Sequence, residues 1–317
     1  MTAASAVPWP SDGELDSLWD EVKTWGRWGP DDQGGALAYL TPERRAAAAG
    51  LVTSGRAISL AHDLALAPSA EQPFPSQHHM LASGDALDTS GIPGYEATRD
   101  FVGTDVHGLG TTHLDALCHM FVRGQMYNGG RPEEVPSSGA KRNTVMTLAD
   151  GIVGRGVLLD VPGALGREFF ESEEAITPAQ LEEAERFGGV TVESGDILLI
   201  STGRDARRTA AGGQLNPFAP GLAGLHPECL RWLSQREVAV LGSDGISDLL
   251  PPRRGHWSFP VHQIGIVGIG LHLIDNVRLD TLIVACREEQ RYAFLFTASP
   301  LRIPGGTGSP INPVAVL

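Results

Sequence analysis

Apolar positions recur along the chain with two periods, and the switches between them divide it into elements. Leu15, Leu18, Trp19 and Val22 fall at helical spacing within residues 14–25, which predicts a short helix with one apolar face. Thr41 followed by Pro42 is an N-cap and first-turn pair, so a second helix starts there and stops before Gly50. Residues 56–66 alternate and predict a strand. Residues 156–161, 195–203 and 238–244 are apolar at consecutive positions, the pattern of strands covered on both faces. The third run ends in Ser243-Asp244, two polar residues at a strand end where a pocket forms. Thr177-Pro178 opens another helix, and residues 224–233 also read as helical. Residues 204–214 read as a loop or short helix. Residues 262–273 begin helical and run apolar into Asp275-Asn276, and residues 292–301 predict a last strand. Residues 67–105, rich in Pro, Gly and Ser and containing His78, read as a long functional or excursive loop, with His78 exposed. Short strands alternate irregularly with helices and no repeat appears. The expectation is a single α/β domain with a mixed, partly barrel-like sheet over residues 25–317, preceded by an extension and helix in residues 1–24.

Composition narrows the function. A hydrophobic fraction of 42%, a charged fraction of 20% and a mean hydropathy of −0.06 describe a chain with ample core. A net charge of −14 without a Lys/Arg cluster argues against a nucleic-acid partner, because phosphate neutralisation needs grouped cations. The nearest grouping, Arg253-Arg254, is a loop pair. Cys118, Cys229 and Cys286 all sit in apolar contexts and read as buried thiols rather than a disulfide framework. No basic segment followed by an apolar run opens the chain, and no apolar stretch has the length of a membrane span. The expectation is a cytoplasmic enzyme with a small-molecule substrate and no membrane partner.

Candidate chemistry concentrates in residues 107–119, which hold three of the ten histidines and one aspartate. His113 and Asp115 stand at i and i+2, on one face of an extended strand. His119 follows four residues after Asp115, so a helical turn near Ala116 would return it to that face. Imidazole and carboxylate together suit a borderline divalent ion such as zinc or manganese, and a set without cysteine favours an open catalytic site over a closed structural one.

Gly110-Thr-Thr-His113-Leu-Asp115 through His119 resembles the H-x-G-T-H-x-D-x-x-x-H signature of the cyclase-like metal hydrolases, which include bacterial kynurenine formamidase and isatin hydrolase. Further segments are similar to the family: Trp25-Gly-Arg-Trp28-Gly-Pro-Asp31 with Leu40-Thr-Pro-Glu, Tyr127-Asn-Gly, Gly195-Asp-Ile-Leu-Leu-Ile-Ser-Thr-Gly, and the Gly- and Pro-rich C-terminus. The resemblance implies the swivelling β/α/β fold, a homodimer or homotetramer, and a metal-activated water that attacks an amide, imide or lactone carbonyl. It carries the metal ligands onto His113 and Asp115 and a proton donor and acceptor, or second-metal ligand, onto His119. It implies at His262 a catalytic histidine that binds a second metal or orients the water, with Asp275 near the place of that metal's glutamate. Trp28 and Tyr127 would form an aromatic wall for a flat substrate.

One position departs from the signature. The family's first histidine is Leu109 here, and leucine cannot donate to a metal. His107 is the nearby imidazole. On a regular strand its Cα would lie roughly 20 Å from that of His113. Gly108 and Gly110 allow a bulge or turn instead, so the expectation is that the chain folds back there and His107 completes the site. Two other readings stay open: a ring-closing cyclase using the same electrophilic metal, and a binding protein that kept the fold and lost the metal.

Overall fold

The computed structural model describes residues 7–85 and 92–317. In chain order its strands are β1 (Ala57–Ser59), β2 (Gln77–Ala82), β3 (Arg99–Gly103), β4 (His113–Asp115), β5 (Ile152–Asp160), β6 (Ala175–Ile176), β7 (Ile197–Ser201), β8 (Gly224–Leu225), β9 (Val240–Ser243), β10 (His272–Asp275), β11 (Ala293–Ala298), β12 (Gly308–Pro310) and β13 (Val314–Val316). Nine of them form one curled sheet in the order β1-β13-β11-β5-β7-β9-β10-β4-β12. Its middle, β5-β7-β9-β10, is parallel, and both flanks are antiparallel. This is the mixed sheet expected, and the three apolar runs are three of its four parallel strands, β5, β7 and β9. They read as unbroken apolar runs because helices cover both faces.

The helices are α1 (Asp12–Val22), α2 (Pro42–Ala49), α3 (Val161–Ala164), α4 (Pro178–Gly188), α5 (Arg204–Ala210), α6 (Cys229–Gln235) and α7 (Asp280–Glu289), with a π-helix over Val261–Ile269. On one sheet face, Leu15, Leu18 and Trp19 of α1, Leu230 and Leu233 of α6, and Val261, Ile264 and Val267 of the π-helix pack with Leu198, Leu241 and Leu273. On the other face, Leu282, Ala285 and Cys286 of α7 pack with Leu158, Leu199, Ile274 and Phe294. The apolar face predicted for α1 is therefore buried in the same core as the sheet. A capping box between Ser11 and Glu14 fixes where that helix starts. Cys118, Cys229 and Cys286 are free and buried. No helix among the described residues is long and apolar enough to cross a membrane.

Four sequence expectations need correction. Only Ala57–Ser59 of residues 56–66 pair as a strand, because beyond Leu60 the chain leaves the sheet edge. Residues 224–233 divide into a two-residue strand and a helix beginning at Cys229, since Gly224 and Leu225 pair with Ala175 and Ile176. The stretch 67–105 is not structureless: β2 and β3 form an antiparallel ribbon in which His78 is exposed and lies 3.0 Å from Asp100. Residues 86–91, within that stretch, lie outside the described residues. No helix follows Ala116; a single turn closed by His119 N–H on the Ala116 carbonyl at 2.9 Å carries the chain onward.

Candidate metal centre

The short strand β4 organises the centre. It is hydrogen-bonded on both sides, to β10 and β12, so all three of its residues are buried. Asp275 of β10 lies opposite His113, and Leu273 lies opposite Asp115. Directly paired residues share a face, so His113, Asp115 and Asp275 project together.

The chain reaches β4 through successive turns over residues 106–111. Gly108 is required there by close approach: a Cβ on it would collide with the Gln72 side chain. This fold-back delivers His107, as the two glycines suggested. His107 Nδ1 lies 2.8 Å from Asp115 Oδ1, and its Nε2 lies 2.9 Å from Thr307 Oγ1. A hydroxyl can donate or accept, so Thr307 holds the ring in either tautomer and leaves Nδ1 available to an ion. Leu109, at the signature's histidine position, turns away. Its side chain packs beside Leu215, Leu222, Ile246, Leu250 and Phe259.

His113 Nδ1 donates to the Thr111 carbonyl at 2.8 Å, which turns Nε2 toward Asp115 Oδ1 at 3.4 Å. His262 enters from the first turn of the π-helix. Its Nδ1 donates to Asp248 Oδ2 at 2.7 Å, and Asp248 also accepts the backbone N–H groups of Val261 and His262. His262 Nε2 then lies 3.5 Å from Asp115 Oδ2 and 3.3 Å from Asp275 Oδ2. Two groups result, His107–His113–Asp115 and Asp115–His262–Asp275, and in each the ligand atoms lie within 4.8 Å of one another. Asp115 is common to both and turns one oxygen to each.

This donor set fits divalent ions. Asp115 Oδ2 and Asp275 Oδ1 are buried without a hydrogen-bond partner, which is costly for carboxylate oxygens unless a cation meets them. His113 and His262 each have the outer nitrogen tied down and the inner one aimed at the centre, the arrangement typical of ligating imidazoles. The electrostatics agree. Burial alone would lower the pKa of His113, but the hydrogen bond and charge of Asp115 outweigh it and hold the imidazole up at about 9. Burial likewise opposes charge on His262, yet the charge of Asp275, the nearby Asp115 carboxylate and the hydrogen bond to Asp248 raise it well above the usual range. Asp115 is pushed up by burial and pulled well below the ordinary carboxylate range by the imidazoles around it. These carboxylates draw positive charge into the site, which a divalent ion could supply in place of protons.

His119 belongs to neither group. Its ring stacks on His107 with centroids 3.8 Å apart and planes 12° apart, 6.3 Å from the His262 ring, and remains partly exposed. Burial and then the neighbouring imidazoles hold its pKa down at about 4, against the pull of Asp115. The ring is therefore uncharged near pH 7.

The family model for putative cyclases matches residues 58–247. The chain belongs to this family. A crystal structure of a novel cyclase is 29% identical with a TM-score of 0.83, covering 93% of this chain and 99% of that one. Isatin hydrolase A from Ralstonia solanacearum is 23% identical with a TM-score of 0.59, covering 82% and 91% of the two chains. Isatin hydrolase A from Labrenzia aggregata, in a structure with benzyl benzoate bound, is 22% identical with a TM-score of 0.58, covering 84% and 94%. These two share the fold of the present chain. No curated protein sequence matches it.

Trp28 and Tyr127 are placed differently from a substrate wall. Tyr127 is fully buried, and its hydroxyl donates to Asp32 Oδ2 at 2.8 Å. Beside it, Asn128 accepts the Gly26 N–H and donates to the carbonyls of Gly29, Pro30 and Asp32. The Trp-Gly and Tyr-Asn-Gly segments of this chain thus form one brace, with Trp28 packed edge-on to Tyr39. The polar end of the third parallel strand is also a brace: Asp244 accepts the N–H groups of Thr202, Gly203 and Arg204. The residue that sequence reasoning passed over is Asp248, four positions further along the same polar loop. Asp248→Ala should leave the His262 ring free to rotate and lower divalent-ion affinity about 10–100-fold, read by titration of the stripped protein.

Proposed function

We propose that this chain is a metal-dependent hydrolase that opens an amide, imide or lactone bond in a small cyclic or aromatic substrate. The observation that carries this is Asp115, fully buried, with its two oxygens turned to two separate histidine–carboxylate groups. His107, His113 and Asp115 would hold one ion, and Asp115, His262 and Asp275 a second, with zinc or manganese suited to the N/O set. A bound divalent ion polarises a carbonyl and makes water a nucleophile at neutral pH. The remaining work falls to the chain. Neutral His119 takes a proton from the attacking water and returns it to the leaving nitrogen or oxygen. Its partly exposed ring, stacked on His107, stands where a substrate can meet it. Asp248 and Thr111 keep two ligating rings fixed, so no reorganisation is needed during the reaction.

Leu109 and Phe259 supply the apolar wall. One is two residues from His107, and the ring of the other lies 6.4 Å from that of His262; both are partly exposed and rest on one apolar cluster. A ring or aryl group seated there would leave its carbonyl over the centre. Leu109→Ala or Phe259→Ala should raise KM about 10-fold with kcat little changed, the signature of lost uniform binding.

The test is a screen of isatin, formyl-kynurenine, lactones and cyclic imides with zinc- and manganese-loaded protein, alongside metal analysis after chelation. Turnover that disappears with the metal supports the hydrolase. Less than about a third of an equivalent of metal, with no turnover on any member, rejects it in favour of a binding protein.

A further inference from the structure

We propose that Arg204 is a positioning residue: through Asn276 and the Leu109 carbonyl it fixes the 108–111 turn and thereby delivers His107 to the centre. The proposal rests on the metal-centre reading above and concerns how this chain replaces the ligand that Leu109 cannot supply.

Arg204 is 4% exposed, and Asn276 is 1% exposed. Arg204 Nη1 donates to the Asp244 carbonyl at 3.1 Å and to Asn276 Oδ1. Its Nη2 donates to the Leu109 carbonyl at 2.8 Å and to Glu71 Oε1 at 2.7 Å. Asn276 passes the constraint on. Its Nδ2 donates to the carbonyls of Gly108 and Thr111, both at 3.0 Å, and its own carbonyl accepts the Thr112 hydroxyl at 2.6 Å. The carbonyls of residues 108, 109 and 111 are thus all held by these two side chains. The Gly110 N–H is held by Gln72 Oε1 at 3.3 Å.

The geometry makes this a device for the centre rather than a generic buried network. Asn276 directly follows Asp275, so the pair clamps the turn to the end of the strand that carries one proposed ligand. The Thr111 carbonyl that Asn276 holds also orients His113. His107 lies immediately before the clamped turn, and no regular strand pairing holds it at that distance from β4. A guanidinium is needed because its planar fork reaches Leu109 and Asn276 together, which a lysine ammonium on a flexible stem does not fix. Burying that cation is costly unless it is paired. Glu71 supplies the partner charge, which it shares with Arg208 at 3.0 Å, and Asp205 in turn pairs with Arg208.

The test is a double-mutant cycle read by metal binding, without turnover. Full-length stripped protein is titrated with Zn²⁺ against a competing chelator for wild type, Arg204→Met, His107→Ala and the double variant, with Arg204→Lys in parallel to retain the charge beside Glu71. Arg204→Met and Arg204→Lys should each weaken Zn²⁺ binding about 10–100-fold, as loss of an outer partner of a ligand does. In the His107→Ala background the same changes should cost at least about threefold less than in wild type, because the main effect runs through His107 and only a remainder reaches His113 through the Thr111 carbonyl. Arg204→Lys keeps the test open should Arg204→Met fail to fold. Equal losses in both backgrounds, or no loss in wild type, overturn the proposal. A wild-type chain that binds no Zn²⁺ instead rejects the metal reading beneath it.

Discussion

Asp115→Asn is expected to remove metal from both ligand groups and to abolish turnover. Asp115 is the residue the two groups share, with Oδ1 toward His107 and His113 and Oδ2 toward His262. An amide offers one neutral oxygen in place of two charged ones and cannot balance a dication. The loss in turnover should reach or exceed the roughly 10³-fold that follows removal of one major electrostatic contact in an active site. Because Asn is nearly isosteric and β4 is paired on both sides, the fold should persist, which circular dichroism can verify. Metal analysis and kinetics on the same preparation decide the matter: full metal content with full turnover would place the chemistry elsewhere in the molecule. Chelation of the wild type should reproduce the variant's inactivity, and added ion should restore only the wild type.

His119→Ala should separate metal binding from proton transfer. His119 lies outside both ligand groups, yet its ring stacks on His107 and is held neutral by burial. Removing it should leave metal content intact while turnover falls about 10²–10⁴-fold, the usual contribution of a positioned general acid–base group. Loss of one equivalent of metal together with activity would make it a ligand instead. A substrate with a better leaving group should recover part of the lost rate if His119 protonates the departing atom, since that step then needs less help.

Much of the fold was legible in local pattern. The three apolar runs became β5, β7 and β9 because a strand covered on both faces must be apolar at consecutive positions. The helix in residues 12–22 showed its buried face through 3.6-residue spacing, but its start was set by the Ser11–Glu14 capping box, which the spacing did not mark. Isolated short strands were not legible. Gly224 and Leu225 are strand only because Ala175 and Ile176 lie beside them, and the ribbon of β2 and β3 has no buried face to impose a period.

The centre divides in the same way. His113 and Asp115 stood two apart on a strand, so their shared face followed from backbone geometry alone, and the glycines beside His107 signalled the fold-back. Sequence spacing thereby picked out one candidate ligand group, and resemblance to a known signature picked out the family. It placed His262 and Asp275 only by resemblance, and it passed over Asp248, Arg204 and Asn276. Arg204 meets Leu109 across 95 positions of chain, and Asn276 meets Gly108 across 168. Asp275 faces His113 because β10 pairs with β4 in one register, and a slip of one residue would turn it to the other side of the sheet. Arg204 reaches Leu109 because α5 and the 108–111 turn gather at the same end of the sheet. Pairing register and helix docking are set by burial over the whole core, and no local run of residues encodes them.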